Sequence, residues 1–267
     1  MENILKKIVG EKKEQIDRYK KSYSINALLE NIKKINSYED FKSKLIKRSS
    51  NNELSIIAEI KKSSPSAGLL VKDFDHLKIA KTYVNNGAQF ISVLTEEKYF
   101  SGKFDFIKDI KDEYRVPVLC KDFFIDTYQV PLAKSFGADC ILIILAALDK
   151  ILAKDIYQTA NDLNISTIVE VHNERESELA MNFDNSIIGI NNRNLKNLEV
   201  SLDTSVKLSK ILEGHKNPLI CESGIHESED IVFILKNTKI KSFLIGESLL
   251  CSDDIGSKLR EFNKISL

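Results

Sequence analysis

Glu59 and Lys61 stand two residues apart in the stretch IIAEIKKSSPSAG, residues 56–68, at the end of an apolar run and just ahead of a break at Ser64, Pro65 and Gly68. Residues two apart in a strand share a face, so a carboxylate and an ammonium point the same way from a segment that otherwise reads as buried. The same spacing recurs in Lys121 with Phe123, Glu170 with His172, and Asn191 with Arg193. Each pair is led in on its own parity by an apolar or small residue: Ile57, Leu119, Ile168 and Gly189. Ser223 is read as completing the set on a further strand. A lone charge at a strand end is ordinarily a solvated rim residue or half of a structural ion pair. Five strand ends carrying polar groups on one inward parity are harder to explain that way, because uncompensated charges there are costly to bury. Gathered in a pocket, the same groups can tune one another's pKa values toward acid and base work.

The elements that would position them are legible as repeats. Short β-branched runs appear as ELSIIAEIKK, QFISVLTE, VPVLCKDFF, ADCILIIL, STIVEVH, SIIGINNRN, PLICESGI and SFLIGESLL, each with the pattern of a strand buried on both faces. Amphipathic helical segments lie between them, among them HLKIAKTYVNNGA, DKILAKDIYQTANDLN and ESEDIVFILKNT. From Glu59 to Gly246 seven intervals average about 27 residues, which suits one strand, one helix and two short loops. The expected fold is α/β, a closed (β/α)8 TIM barrel, with the polar pairs at the C-terminal rim where such barrels place their chemistry. An open doubly wound sheet is the rival; it would show a GxGxxG first turn, which this chain lacks. Residues 1 to about 50 read as an N-terminal helical extension of one domain spanning 1–267, placed either under the barrel floor or across the active face.

With 43% hydrophobic and 29% charged residues in a chain of 267, a large core is available and disorder is not expected. The 39 basic and 39 acidic residues cancel, which argues against nucleic acid as a partner, and the N-terminal lysines interleaved with acids read as a solvated helix face. Cys120, Cys140, Cys221 and Cys251 form no CxxC pair and are read as reduced core thiols, with Cys120 and Cys221 facing the helices. His76, His172, His215 and His226 lack ligand spacing and are read as structural, so neither a metal nor a cofactor is called for. The opening MENILKKIVGEKKEQ has no apolar signal-peptide core, and no run of about 18 apolar residues follows, so a soluble protein of the cytosol or an organelle matrix is expected, cytoplasmic by preference and with no membrane partner. Gly224 and Gly246, after the last two strands, let backbone N–H groups approach an anion, and Ser64 adds a hydroxyl from the first loop, which together imply a small phosphorylated substrate.

The motifs AEIKKSSPSAG, SVLTEEKYFSG, VLCKDFFIDTYQV, GADCILIILAAL, EVHNERESELA, IIGINNRNLKNLEV, CESGI and IGESLL resemble, in order and spacing, those of indole-3-glycerol phosphate synthase of tryptophan biosynthesis. The resemblance runs from about Ile56 to the C-terminus. It implies a cofactor-free lyase that closes the ring of 1-(2-carboxyphenylamino)-1-deoxyribulose 5-phosphate with loss of carbon dioxide and water. By the same resemblance Lys121 is the general acid on the substrate carbonyl, and Glu170 stabilises the cation developing on the anilino nitrogen. Glu59 and Lys61 share the later acid and base steps, and Asn191 holds a substrate hydroxyl or the Glu170 carboxylate. Arg193 and Ser223 orient neighbouring groups, while Ser64, Gly224, Gly246 and the backbone N–H of Glu247 form the phosphate nest. Phe123 and Leu142 are assigned to the apolar wall for the anthranilate ring, with Phe100 adding to it from a loop. The chain departs from the family pattern at Ser63, Ala67 and Cys120, none of them a proposed catalytic group.

Two other readings share the barrel: a phosphosugar aldolase or isomerase using a lysine Schiff base, and a catalytically silent subunit or phosphate binder. A monomer or weak homo-oligomer is expected.

Overall fold

Every residue of the segment Ser55–Ile60 is buried, because one face meets a barrel interior and the other meets helices. The computed structural model describes residues 4–195 and 197–266. Its strands are β1 (Ser55–Ile60), β2 (Phe90–Leu94), β3 (Val118–Lys121), β4 (Cys140–Ile144), β5 (Ser166–Val171), β6 (Ile187–Asn191), β7 (Leu219–Glu222) and β8 (Ser242–Ile245). They are parallel and close into a barrel, β1 pairing with both β2 and β8. This is the (β/α)8 arrangement expected from the eight repeats.

Register follows from side-chain volume. Ile57 pairs with Phe90 and Leu244, and Leu142 with Ile168. These residues, with Leu119, Ile187 and Ile220, fill the barrel interior. Each is large and apolar, so the barrel is a packed core rather than a pore, and the polar groups are left to the layer above. Between β1 and β2, Ser63–Ser64 and Gly68–Leu69 pair as a two-residue antiparallel hairpin, with Gly68 at φ +67°.

Three helices precede β1: α1 (Ile4–Ser22), α2 (Ile25–Lys34) and α3 (Phe41–Ser50). Sequence left the floor and the active face as alternatives for this extension; its helices occupy both. Asp40 caps α3 through the N–H of Ser43. The helix then drives Phe41 and Leu45 into the barrel floor, where the Phe41 and Phe90 rings lie 4.7 Å apart. Leu5, Ile8, Lys12, Gln15 and Ile16 form the buried stripe of α1, at the spacing of one helix face. Ile4, Leu5 and Ile8 reach the mouth of the barrel.

Lys12 departs from the reading of the N-terminal lysines as a solvated face. Lys6, Lys7 and Lys13 are exposed, but Lys12 is buried with its Nζ 2.6 Å from Asp122 Oδ1, just beyond β3. Asp122 also accepts from the Thr95 hydroxyl at 2.6 Å and from the N–H of Phe123 at 2.7 Å. A buried charge pair is tolerated when further hydrogen bonds complete it, and here those bonds tie α1 to the strand end that carries Lys121. The C-terminal turn of α1 is fixed as well, the Tyr128 hydroxyl lying 2.9 Å from the Tyr19 carbonyl and 2.7 Å from that of Tyr23.

The helices behind the rim bear on the site at α4 (His76–Asn85), α5 (Asp105–Glu113), α6 (Gln129–Ser135), α7 (Lys150–Asp162), α8 (Glu174–Ala180), α9 (Asp203–Ile211), α10 (Ser228–Asn237), α11 (Glu247–Leu250) and α12 (Ile255–Asn263). Tyr83 of α4 donates its buried hydroxyl to the Glu59 carbonyl at 3.0 Å, holding the end of β1 in place.

Candidate active site

Four strands deliver charge to one point. Lys121, the last residue of β3, places Nζ 2.6 Å from Glu222 Oε2 of β7, and 3.8 Å from both Glu59 Oε2 of β1 and Glu170 Oε2 of β5. Lys61, just past β1, places its Nζ 2.6 Å from Glu59 Oε1, so Glu59 is shared by two ammonium groups. The three carboxyls are almost fully buried, and the two lysine side chains keep only a small opening to solvent.

Burial and neighbours set the protonation of this cluster. For Lys121, burial favours the neutral amine, but the charges of Glu222, Glu59 and Glu170 outweigh it and hold an ammonium well above the usual lysine range. Burial pushes Glu59 up, and Lys61 and Lys121 pull it back below its ordinary value. Glu170 is likewise penalised by burial, yet contact with His172 and the charges of His172 and Lys121 hold it well below the carboxylate range. Glu222 goes the other way: burial raises it, Lys121 only partly offsets this, and the neighbouring Glu170 carboxylate raises it further. Its Oε1 has no hydrogen-bond partner among the described residues.

Glu222 was missed in the sequence. Ser223 was read as the inward residue of the seventh strand, but Ile220 and Glu222 face the interior while Cys221 faces the helices with Cys120. Ser223 is two residues from Cys221 and so does not share the inward parity of β7. It reaches the pocket because the strand has ended: Ser223 takes φ +65° and Gly224 φ +86°, a left-handed pair that turns the chain over the rim. The signal that would have found Glu222 was the parity of PLICE counted from its apolar residues.

Asn191 closes β6 and accepts at Oδ1 from the Ser223 hydroxyl at 2.9 Å and from the Arg193 N–H at 3.0 Å. Its side chain also helps keep Glu170 ionised. Arg193 donates from Nη1 to the Leu198 carbonyl at 3.2 Å and brings Nη2 to 3.8 Å from Glu247 Oε2. Ser64 accepts the N–H of Ala67 at 3.1 Å, which shapes the hairpin after β1.

Ser64, Gly224, Gly246, Glu247 and Ser248 line the same cavity as the lysines, on the side of β7 and β8. Gly246 has a second reason to be glycine, since a Cβ there would lie 2.5 Å from Glu59 Oε1. Phe123, Leu142, Leu94, Ile144 and Phe100 form the apolar wall, with the Phe100 and Phe123 rings 6.2 Å apart and α1 closing the top. The buried thiols of Cys120 and Cys221 are pushed up by burial and stand behind the strands. Among the described residues no cluster of three His, Cys, Asp or Glu side chains has the geometry of a metal site, and no helix is long and apolar enough to cross a membrane.

An ammonium facing buried carboxylates, an apolar wall and an N–H-rich turn can protonate a carbonyl oxygen, stabilise a nearby cation and hold an anion. The model of the family described as indole-3-glycerol phosphate synthase matches residues 5–262. An indole-3-glycerol phosphate synthase of Acetivibrio thermocellus is 40% identical over 264 residues, covering 98% of this chain and 100% of that protein. One from Alkaliphilus metalliredigens is 40% identical over 258 residues, with 97% of each chain covered. Among solved structures, 3-hexulose-6-phosphate synthase of Salmonella typhimurium superposes with a TM-score of 0.64 at 14% identity, over 79% of this chain and 97% of that one. Tryptophan synthase subunit alpha of Legionella pneumophila gives 0.62 at 13%, over 83% and 96%. At these identities the structural likeness speaks for the barrel alone.

Proposed function

The chain belongs to the indole-3-glycerol phosphate synthase family, and from that premise we propose how the rim residues divide its reaction among them. The enzyme is a carboxy-lyase of tryptophan biosynthesis acting on a phosphorylated small molecule. The observation that carries the assignment of roles is the position of Lys121 Nζ, within 3.8 Å of carboxyls from three other strands.

Ring closure begins when the aromatic carbon bearing the substrate carboxylate attacks the ketone. The carbonyl electron pair moves to oxygen, and Lys121 delivers a proton there. A lysine held so firmly as an ammonium gives up that proton only to a stronger base, which the developing alkoxide is and bulk solvent is not. As the new bond forms, positive charge builds on the anilino nitrogen, and the Glu170 carboxylate faces it. Carbon dioxide then leaves, returning its electron pair to the ring. In the last step the hydroxyl departs as water and the ring system loses a proton; Lys61 supplies the acid and Glu59, which it contacts at 2.6 Å, takes the proton. Glu222 and Asn191 keep Lys121 and Glu170 in register, and Ser223 and Arg193 hold Asn191 and the loop after β6.

The phosphate is held by the N–H groups of Gly224, Gly246 and Glu247 with the Ser64 hydroxyl. The anthranilate ring packs on Phe123 and Leu142, where exclusion of water strengthens the field of the ammonium. The extension and barrel act as one domain, a reading supported by α1 at the mouth and α3 in the floor. A cytoplasmic monomer or weak homo-oligomer, with no nucleic-acid partner, suits the balanced charge.

Purified protein given 1-(2-carboxyphenylamino)-1-deoxyribulose 5-phosphate should develop indole fluorescence and release one carbon dioxide for each indole formed. Borohydride trapping of substrate on Lys61 or Lys121 without indole would favour Schiff-base chemistry instead. Binding of a product analogue with no turnover at all would favour a silent barrel.

A further inference from the structure

His172 was read from sequence as structural, yet it is wedged between two acids. Its Nε2 lies 3.1 Å from Glu170 Oε1, and its Nδ1 lies 3.1 Å from Glu176 Oε2 of α8. Glu176 Oε2 also accepts the backbone N–H of His172 at 2.8 Å, while its Oε1 accepts from the Asn173 amide at 2.6 Å. The imidazole is therefore pinned from behind by a carboxylate that is itself tied to the start of α8.

Of the three carboxyls around Lys121, Glu170 and Glu222 compete for one proton, and distance alone favours Glu222 as the ionised one, at 2.6 Å against 3.8 Å. We propose that His172 is a positioning residue that reverses this preference: its imidazolium, held by Glu176, keeps Glu170 the carboxylate and leaves the proton on Glu222. The role rests on the reading of Glu170 as the group that faces the anilino cation. That cation needs an anion beside it, and a Glu170 that had taken the proton would offer only a dipole.

The groups that titrate around the imidazole support this arrangement. Glu170 faces it from its own strand and Glu176 from α8; beyond Glu170 stand Lys121 of β3 and Glu222 of β7, with Glu59 of β1 on the far side of the ammonium. Burial disfavours the charged ring, but the two flanking carboxylates raise it to about 9. At neutral pH the ring is a cation, with Oε1 of Glu170 3.1 Å from it while Oε2 faces Lys121.

The test is the pH dependence of kcat in the wild type, His172→Gln and Glu176→Gln. Removing an opposite charge at contact distance moves a carboxyl by about one unit or more, so the acid limb of His172→Gln should shift upward by that amount. Glu176→Gln lowers the imidazole from its value of about 9, so fewer rings are cationic where the two carboxyls take up their proton, and its acid limb should shift upward by less than that of His172→Gln. Glutamine keeps a hydrogen-bond donor, so a merely structural histidine would leave both midpoints in place and only scale kcat; unmoved limbs in both variants would overturn the proposal. If His172→Gln fails to fold, Glu176→Gln carries the test by itself, because it leaves the ring in place. Glu170→Gln separates the two layers: normal turnover there would reject the reading of Glu170, whereas lost turnover with unmoved limbs in the other variants would reject His172 alone.

Discussion

Lys121→Met loses turnover by roughly 10³-fold, the middle of the range for a positioned general acid, while its thermal unfolding remains cooperative. Methionine nearly matches the length of the lysine stem but cannot deliver a proton. The loss should fall on kcat rather than on substrate affinity, because the residues proposed to hold the phosphate and the anthranilate ring are others; a change confined to KM would point to a binding role instead. The fold survives because Glu59 keeps its contact with Lys61 and Glu170 its contact with His172, while Glu222, whose carboxyl burial already pushes up, can hold a proton rather than remain a buried charge. Lys121→Arg should restore little: a guanidinium keeps the charge but does not surrender its proton in a protein. Steady-state kinetics with saturating substrate, followed by indole fluorescence, checks the result. Turnover within a few-fold of wild type would remove Lys121 from the acid role.

Gly189→Ala, a single methyl group on β6, should cost kcat on the order of 10²-fold, the size of effect seen when a catalytic group is misplaced by about an ångström. A Cβ at Gly189 would lie 2.0 Å from Glu222 Oε1 and 3.0 Å from Ile168 Cγ2. Surface glycines accept such a change because a flexible neighbour swings aside. Glu222 cannot: it is fully buried, and its other oxygen holds Lys121 at 2.6 Å. Either the carboxyl moves and takes Lys121 with it, or β6 shifts and carries Asn191 away from Ser223. Overpacking of this kind also lowers stability by about 1–3 kcal/mol, so a fall in Tm should accompany the loss of kcat. Paired measurements of Tm and kcat test the point, and an alanine variant with wild-type kcat would show that Glu222 is free to move without consequence.

The barrel was legible because its signal is periodic. Runs such as ADCILIIL and SIIGI have no polar face to hide, and eight of them at regular spacing leave few folds to choose from. The inward positions were legible wherever the strand reached the rim in register, as at Glu59, Lys121, Glu170 and Asn191, since the parity that sends Ile57 or Ile168 inward sends the next residue but one inward too. Parity fails where regular strand stops. Ser223 enters the pocket from a left-handed turn that no alternation encodes, and the inward place on β7 belongs to Glu222. Gly189 and Gly246 looked like a lead-in residue and a phosphate contact; the closeness of Glu222 and Glu59 to them depends on strands more than 30 positions away in sequence. Lys12 was hidden for a similar reason, because nothing near it in the chain shows that Asp122 will lie 2.6 Å away. His172 resisted for a different one: its partner Glu176 is four residues on, but only the turn from β5 into α8 brings the two together.

A crystal structure of the protein with indole-3-glycerol phosphate would show whether charged side chains from distant strands surround one hollow beside an anion cradle. The phosphate is expected against the backbone N–H groups of Gly224, Gly246 and Glu247, the indole between Phe123 and Leu142, and Lys121 Nζ facing the indole carbon from which the hydroxyl departed. A product bound with its phosphate away from β7 and β8, or with Lys121 turned from the ring, would contradict that arrangement.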